Sequence, residues 1–562
     1  MNQAKKLAEE IQAEIRGHGG LWETTTEDVL GENFVIFKNR NRSIYEMLKS
    51  NVEKWGEREC LILEDTRISY HELLNRIEST SHRFQNTYGI KKGDRVAILA
   101  ANCPEWVISF FAATQIGAIV SALNGWWTES EITHAIELSD PSLIVGDTRR
   151  LERAGPILQR FPIVDINKSK EFFEPTGESP IKALIEEDDP ALILFTSGTT
   201  GNSKGALLSH RSLIGFVDGT IHNGYEKKLI ALKLLDIDPA SLPSNQDVVL
   251  ATSPLFHISG LPAGILMNMA NGAKMIFRSG RFDASDVLRL IEEEKITHWT
   301  AIGDMGPRVM KHKDFTKRDT SSLTRVSSGG AHLSENMQKQ IAKHFPQAAA
   351  AIGQGYGSSE SCGVVTSIGG QDFKENPSSA GKPCLGYEIE IRDTENNSLP
   401  DGEEGEIHVR SAYSMLRYWG NPQATTETFK EGRWLAMGDI GKIVDGMLYI
   451  NSRARDMIIR SGENIYPVEI EHRLESHPAV KEVAVLAVDH EEKGQEVKAV
   501  IVLADGHDFN SGLFVDWCKE TLALYKIPEH WEHRIDPLPR TASGKVIKGA
   551  LNGKRKLSNY QD

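Results

Sequence analysis

The densest stretch of chemistry-bearing residues is Thr196-Ser-Gly-Thr-Thr-Gly-Asn-Ser-Lys-Gly205, placed directly after the apolar run Ala191-Leu-Ile-Leu-Phe195. Glycines let backbone N–H groups turn toward an anion, hydroxyls donate to phosphate oxygens, and Lys204 supplies a charge. The pattern predicts a phosphate-binding loop at the end of a strand rather than a polar turn. It is not a Walker A loop, because Ser203 stands where that motif needs glycine followed by lysine. Kinase and P-loop hydrolase chemistry are therefore not expected. His257, in Ser253-Pro-Leu-Phe-His-Ile-Ser-Gly260, has no companion His, Asp or Glu at metal-ligand spacing, which argues against zinc. No serine sits in a Gly-x-Ser-x-Gly elbow, so a hydrolase triad has no support.

The elements that must position these residues read as alternating strands and helices. Arg95-Val-Ala-Ile-Leu, Ala118 to Leu123, Ser142-Leu-Ile-Val, Ala191 to Phe195, Val248 to Thr252, Lys274-Met-Ile-Phe and Thr297 to Ile302 read as strands, with a helix over 286–293. This rhythm predicts α/β layering with largely parallel sheets. Residues 227–246, with Pro239, Pro243 and Asn245, read as a surface excursion. From about residue 385 the pattern changes to short antiparallel strands joined by turns such as Asp401-Gly402 and Asp445-Gly446. After Ser452-Arg-Ala-Arg-Asp456 a new rhythm begins: a helix over 467–476, strands over 480–488 and 496–503, and a helix over 511–524. We expect two domains, 1–452 and 453–562, with the boundary near Arg453–Asp456.

Lys plus Arg number 64 and Asp plus Glu 78, so the net charge is −14, a poor basis for sequence-independent nucleic-acid binding. Five widely spaced cysteines without a CxxC pair predict reduced core thiols. The segment from Trp106 to Leu123 carries no charge and is long enough to span a bilayer. Pro104, the polar groups of Ser109, Thr114 and Gln115, and the break at Gly117 predict instead a buried helix, a turn and a buried strand. The opening residues lack a signal-peptide core and read as a short amphipathic helix with Leu7, Ile11 and Ile15 on one face. A cytoplasmic protein without a transmembrane segment is expected.

The chain resembles the adenylate-forming (AMP-binding) superfamily, in its acyl-CoA ligase branch, over about residues 45–550. Thr196 to Lys204 matches that family's signature loop, with Ser203 where proline is usual. Gly329-Gly-Ala331 is similar to its adenine-side turn, and Tyr356-Gly-Ser-Ser-Glu360 to its aromatic–Gly–x–Thr–Glu motif, with Ser359 for threonine. Trp434-Leu-Ala-Met-Gly-Asp439 resembles the motif ending in Thr-Gly-Asp, with Met437 for threonine. Arg453-Ala-Arg-Asp456 and Ser461-Gly-Glu-Asn-Ile-Tyr-Pro467 resemble the hinge and the start of a mobile domain, although Arg455 stands where aspartate or lysine is usual. Pro539-Arg-Thr-Ala-Ser-Gly-Lys545 resembles the C-terminal lysine motif. The implied fold is α/β: a large N-terminal domain of layered α/β sheets with a small β-rich subdomain, and a small mobile α+β C-terminal domain.

The resemblance implies a reaction in two halves. A carboxylate attacks the α-phosphorus of ATP to give an acyl-adenylate and pyrophosphate, and a thiol then releases AMP. Both partners of the first half are anions, so cations and positioning must supply the catalysis. The implied catalytic residues are Lys545, Glu360 and His257. Lys545 would stabilise charge at the α-phosphate, and His257 would line the acyl and thiol path. Glu360 and Thr200 would hold Mg²⁺. Thr196, Ser197, Gly198, Thr199, Thr200, Gly201 and Lys204 would cradle phosphates, and Gly330, Ala331, Tyr356, Gly357 and Ser359 would border the adenine and Glu360. Asp439 and Arg453 would contact the ribose and phosphate, and the face around Gly462 would replace Lys545 in the second half.

The acyl pocket is expected near His257, residues 300–306 and the stretch after Glu360, where Gly303 and Gly363 leave room for a bulky apolar acid. No basic residue marks a second carboxylate, so a monocarboxylic, fatty or fatty-like acid is expected. The sequence stops soon after Lys545 with no carrier segment, which points to free CoA as acceptor. The expected substrates and cofactors are thus ATP, Mg²⁺, CoA and a small carboxylic acid, and a homodimer is compatible with the reading. The alternatives are a ligase that hands the acyl group to a carrier protein, and a non-catalytic nucleotide-binding relative. Intact Lys204, Glu360, Asp439 and Lys545 weigh against the latter.

Overall fold

The computed structural model describes residues 2–196, 203–241, 245–302, 305–329, 335–453, 456–460, 463–490, 494–540 and 546–551. The first sheet runs in the order Arg417–Tyr418, Lys204–Ser209, Pro190–Thr196, Ile119–Ala122, Arg95–Leu99, Leu143–Gly146 and Ile163–Asp165. Its last five strands are parallel, and Lys204–Ser209 runs antiparallel to both of its neighbours, Arg417–Tyr418 and Pro190–Thr196. The second sheet orders Arg325–Gly329, His298–Ile302, Val248–Leu250, Lys274–Phe277, Glu59–Leu63 and Thr66–Ser69, all parallel except the final hairpin. Crossover helices cover these strands, which is why they read as continuous apolar runs.

A third, antiparallel sheet takes its strands from residues 353–453, and a fourth large sheet takes all of its strands from 458–534. The core clusters respect the same division. Ile458, Val485, Ile501 and Phe514 pack together with residues of 458–551 alone. The clusters of the first three sheets contain no buried residue beyond Leu448.

Pro104 opens the helix Pro104–Gln115, all of it buried except the partly covered Glu105. Gly117, at φ +75°, turns the chain into the strand Ile119–Ala122. This is the predicted helix, turn and strand, and no helix among the described residues is long and apolar enough to cross a membrane. All five cysteines are free thiols and four are buried. The N-terminal helix Asn2–Arg16 buries Ile11 and Ile15.

Two boundaries differ from the sequence reading. The helix His210–Leu234 continues well past Lys227, because Leu232 keeps the helical spacing and is buried. Only the segment after it is the expected excursion. The helix expected over 511–524 stops at Lys519, and a separate tight turn forms at Leu524–Lys526.

Candidate active site

The strands Pro190–Thr196 and Lys204–Ser209 form an antiparallel pair in which Thr196 and Lys204 are register partners. Thr196 ends a strand of the parallel set, at the carboxyl edge where ligands of open α/β sheets bind. Ser197, Gly198, Thr199, Thr200 and Gly201, the predicted phosphate contacts between the two strands, lie outside the described residues.

Lys204 does not stand alone. Its Nζ sits 5.0 Å from the ring centroid of Tyr418, within cation–π range. Tyr418 belongs to the short edge strand beside Ala206, and its Oη donates to Glu360 Oε1 at 2.9 Å. Burial, then the Glu360 charge, push the Tyr418 phenol well above its ordinary range, so it is a neutral donor. The backbone N–H of Met415 donates to the Glu360 carbonyl at 2.7 Å. Sequence reasoning paired neither Tyr418 with Lys204 nor Tyr418 with Glu360. Tyr418 follows the mostly apolar Ala412-Tyr-Ser-Met-Leu416 and Arg417 in the sequence, and nothing in its spacing announces Lys204 and Glu360 as neighbours.

Glu360 leaves a tight turn. Ser358 N–H donates to Ser361 Oγ at 2.9 Å and Ser361 N–H to Ser358 Oγ at 3.2 Å, a reciprocal pair that fixes the backbone on either side of Ser359 and Glu360. Cys362 N–H closes the turn on the Ser359 carbonyl at 3.1 Å, with Cys362 at φ +57° and Gly363 at φ +103°. A Cβ on Gly357 would lie 1.6 Å from the Gly363 carbonyl oxygen, so that crossing admits no side chain. A Cβ on Gly363 would lie 2.5 Å from the Phe216 ring. The room expected at Gly363 for an acyl group is therefore filled by Phe216, a consequence of a helix far away in sequence. Gly303, the other small residue in that expectation, lies outside the described residues.

Tyr356 and Asp439 meet in the third sheet. Tyr356 Oη donates to Asp439 Oδ2 at 2.7 Å, and Asp439 is 8% exposed. Asp439 and Arg453 are register partners on the antiparallel strands Trp434–Val444 and Met447–Arg453. A carboxylate has lone pairs for more than one donor, so Asp439 can accept from Tyr356 and from a sugar hydroxyl together. Gly330 and Ala331, the expected second wall of an adenine slot, lie outside the described residues.

His257 follows the carboxyl end of Val248–Leu250. Asn102 pins that loop: its Nδ2 donates to the Ser253 carbonyl at 2.7 Å, and its Oδ1 accepts from Leu255 N–H at 3.0 Å. The His257 ring packs on Phe256 with centroids 5.0 Å apart, and Phe256 packs on Trp126 at 5.8 Å. The imidazole thus stands in an aromatic setting, which suits the lining of an apolar path.

Lys545 and Gly462 lie outside the described residues. Arg540 and Val546 form an antiparallel bridge, and Ile547 N–H donates to the Pro539 carbonyl at 2.8 Å. Arg540 pairs with Glu482 at 2.9 Å and Lys548 with Glu471 at 2.8 Å. Two ion pairs thus flank residues 541–545.

Among the described residues no cluster of three or more His, Cys, Asp or Glu forms a metal cage. Mg²⁺ that arrives with a nucleotide takes one or two carboxylates, phosphate oxygens and waters. Glu360, with one oxygen already oriented by Tyr418, is a suitable donor of that kind.

The sequence model of the AMP-binding enzyme family matches residues 48–419, and that of the AMP-binding enzyme C-terminal domain matches 469–545. A feruloyl-CoA synthase from an Amycolatopsis species is 31% identical over 491 residues, covering 86% of this chain and 94% of its own length. A 2-succinylbenzoate–CoA ligase from Bacillus licheniformis is 32% identical over 510 residues, covering 90% and 98%. Among solved structures, o-succinylbenzoate CoA synthetase from Bacillus subtilis, in complex with its acyl-adenylate intermediate, superposes with a TM-score of 0.75 at 28% identity. That match covers 92% of this chain and 99% of the other. The chain belongs to the AMP-binding enzyme family, in its acyl-CoA ligase branch, and is an AMP-forming acid–CoA ligase.

Proposed function

We propose that the enzyme activates a monocarboxylic, fatty or fatty-like acid and transfers it to CoA. In the first half-reaction the acid's carboxylate oxygen bonds to the α-phosphorus of ATP as the bond to pyrophosphate breaks. In the second, the CoA sulfur bonds to the acyl carbon, AMP leaves, and the thiol proton passes to solvent. The observation that carries the reading is the run Lys204, Tyr418, Glu360, which gathers a cation and a carboxylate beside the phosphate-loop strands. The aromatic surroundings of His257 support an apolar acid.

In this reading the stretch 196–201 and Lys204 hold phosphates, Tyr356 with Gly357 and Ser359 borders the adenine, and Asp439 and Arg453 hold the ribose side. Glu360 and Thr200 hold Mg²⁺, which when bound offsets phosphate charge. Residues 453–562 form the mobile domain, which brings Lys545 for adenylation and the Gly462 face for thioester formation. The separate cores on either side of the 453–457 stretch support that division.

The test is pyrophosphate exchange into ATP across butyrate, octanoate, palmitate, benzoate and a cyclic acid, followed by AMP release with and without CoA. Exchange with a fatty-like acid and CoA-dependent AMP release are expected. Exchange without CoA-dependent release would favour transfer to a carrier protein. No exchange with any acid would favour a non-catalytic relative.

A further inference from the structure

The segment Met415–Trp419 touches both sides of the site. Met415 N–H donates to the Glu360 carbonyl at 2.7 Å. Leu416 N–H donates to the Leu207 carbonyl at 2.8 Å and Trp419 N–H to the Gly205 carbonyl at 2.7 Å, so the same segment is laced to the strand that begins at Lys204. Trp419 Nε1 donates to the Leu138 carbonyl at 3.1 Å and anchors the far end. Tyr418 N–H donates to Thr425 Oγ1 at 3.0 Å, which ties the segment to the following helix. In the middle, Tyr418 is 6% exposed and offers its two chemical faces to opposite charges: the ring to the Lys204 ammonium, the hydroxyl to the Glu360 carboxylate.

We propose that Tyr418 is a positioning residue for adenylation: it orients the metal-binding carboxylate of Glu360 and the phosphate-binding ammonium of Lys204 as one unit, on a strap formed by residues 415–419. This rests on the reading of Glu360 as the Mg²⁺ donor and of Lys204 as a phosphate contact. The physical case is preorganisation. A free glutamate must lose rotamer freedom when it engages a cation, and so must a free lysine when it engages a phosphate. Tyr418 imposes that loss beforehand. Its hydroxyl fixes one carboxylate oxygen and turns the carboxyl plane. Its ring face holds the ammonium near, without neutralising it as a second carboxylate would.

The two faces can be removed separately. Tyr418→Phe keeps the ring under Lys204 and deletes the hydroxyl. Tyr418→Leu deletes both. Glu360→Gln serves as the reference. Tyr418→Phe is expected to raise the Mg²⁺ concentration for half-maximal pyrophosphate exchange by about tenfold, the size of a lost hydrogen bond to a charged group. Its ATP KM at saturating Mg²⁺ should stay within about twofold, since the ring face remains. The same variant should weaken Mn²⁺ binding to the enzyme complexed with a nonhydrolysable ATP analogue, read by electron paramagnetic resonance without turnover. Tyr418→Leu should show the metal effect and also raise the ATP KM. A general packing defect would not produce this split between metal and nucleotide. If Tyr418→Leu fails to fold, Tyr418→Phe decides alone, as an isostere that leaves the ring packing in place. Unchanged Mg²⁺ half-saturation and Mn²⁺ affinity in Tyr418→Phe, beside a clear shift in Glu360→Gln, overturns the proposal and leaves the reading of Glu360 intact. No shift in Glu360→Gln removes that reading, and the proposal with it.

Discussion

Asp439, Glu360 and Lys204 are set by strand register and by short hydrogen bonds in partly or fully buried surroundings. Residues 541–545, the stretch that includes Lys545, are flanked by two ion pairs of partly covered side chains, Arg540–Glu482 and Lys548–Glu471. Asp439, Glu360 and Lys204 thus share a framework with the cores of the first three sheets, while the residues flanking 541–545 belong to a small module with a core of its own. Under the proposed mechanism this divides the labour: groups that would serve both half-reactions sit in the large framework, and the lysine that would serve one is carried by the separate module. It follows that damage on the two sides should read out differently.

The largest effect should come from Lys545→Ala. It is expected to slow adenylation by about 10²-fold or more, the scale of a lost charge-stabilising donor. Thioester formation from supplied acyl-adenylate should remain within a few-fold. Stopped-time assays of the two half-reactions check this, and equal loss in both would erase the division. Asp439→Ala, on the built-in side, should cost about 10- to 100-fold in kcat/KM for ATP, the worth of a hydrogen bond involving a charged group. The ranking of acids should not change, as an acid panel would show.

Two titratable groups, one in each region, respond to pH with opposite sign. Burial holds the His210 imidazole down to about 4, and its Nδ1 accepts from Ile44 N–H at 3.2 Å. Its folded value lies below the ordinary 6.5, so its stabilisation is present above that pH and is lost as pH falls toward 4. By pH 5 the loss is about 2 kcal/mol, and His210→Gln should flatten that slope in denaturant titrations. In the C-terminal module, burial and then the Glu471 charge push Glu475 up to about 7. Its contribution is present at low pH and is lost as pH rises from 4.5 through about 7, so Glu475→Gln should change the slope in the opposite sense. The smallest effect is expected from Glu482→Gln, which weakens one of the ion pairs flanking residues 541–545. The pair is partly covered, and its contribution is about 1 kcal/mol. A loss of less than about fivefold in adenylation is expected, with the melting temperature nearly unchanged.

Much of this framework was legible in the chain. Apolar runs such as Ala191 to Phe195 could only be doubly covered strands, and Pro104 and Gly117 marked where a membrane-like stretch had to break. Residues with chemistry in their type, such as Asp439 and Glu360, stood out because their motifs lie within a few positions. What stayed hidden depends on long-range contact. Tyr418 lies 58 residues from Glu360 and becomes informative only when an edge strand pairs with Ala206. Phe216 closes the space at Gly363 from a helix that precedes it by more than a hundred residues. Periodicity reports which face of an element is buried, and not which partner covers it.

The crossing of Gly357 over the Gly363 carbonyl has a consequence for how such an enzyme can change over time. Tyr356 lies directly before that crossing and Glu360 lies in the turn that joins its two sides, so a methyl group at Gly357 would force the two strands apart and move both side chains at once. Neither can drift on its own through a change of backbone spacing there. Variation that keeps this backbone crossing therefore passes on Tyr356 and Glu360 as a single heirloom, and room for change lies in segments elsewhere.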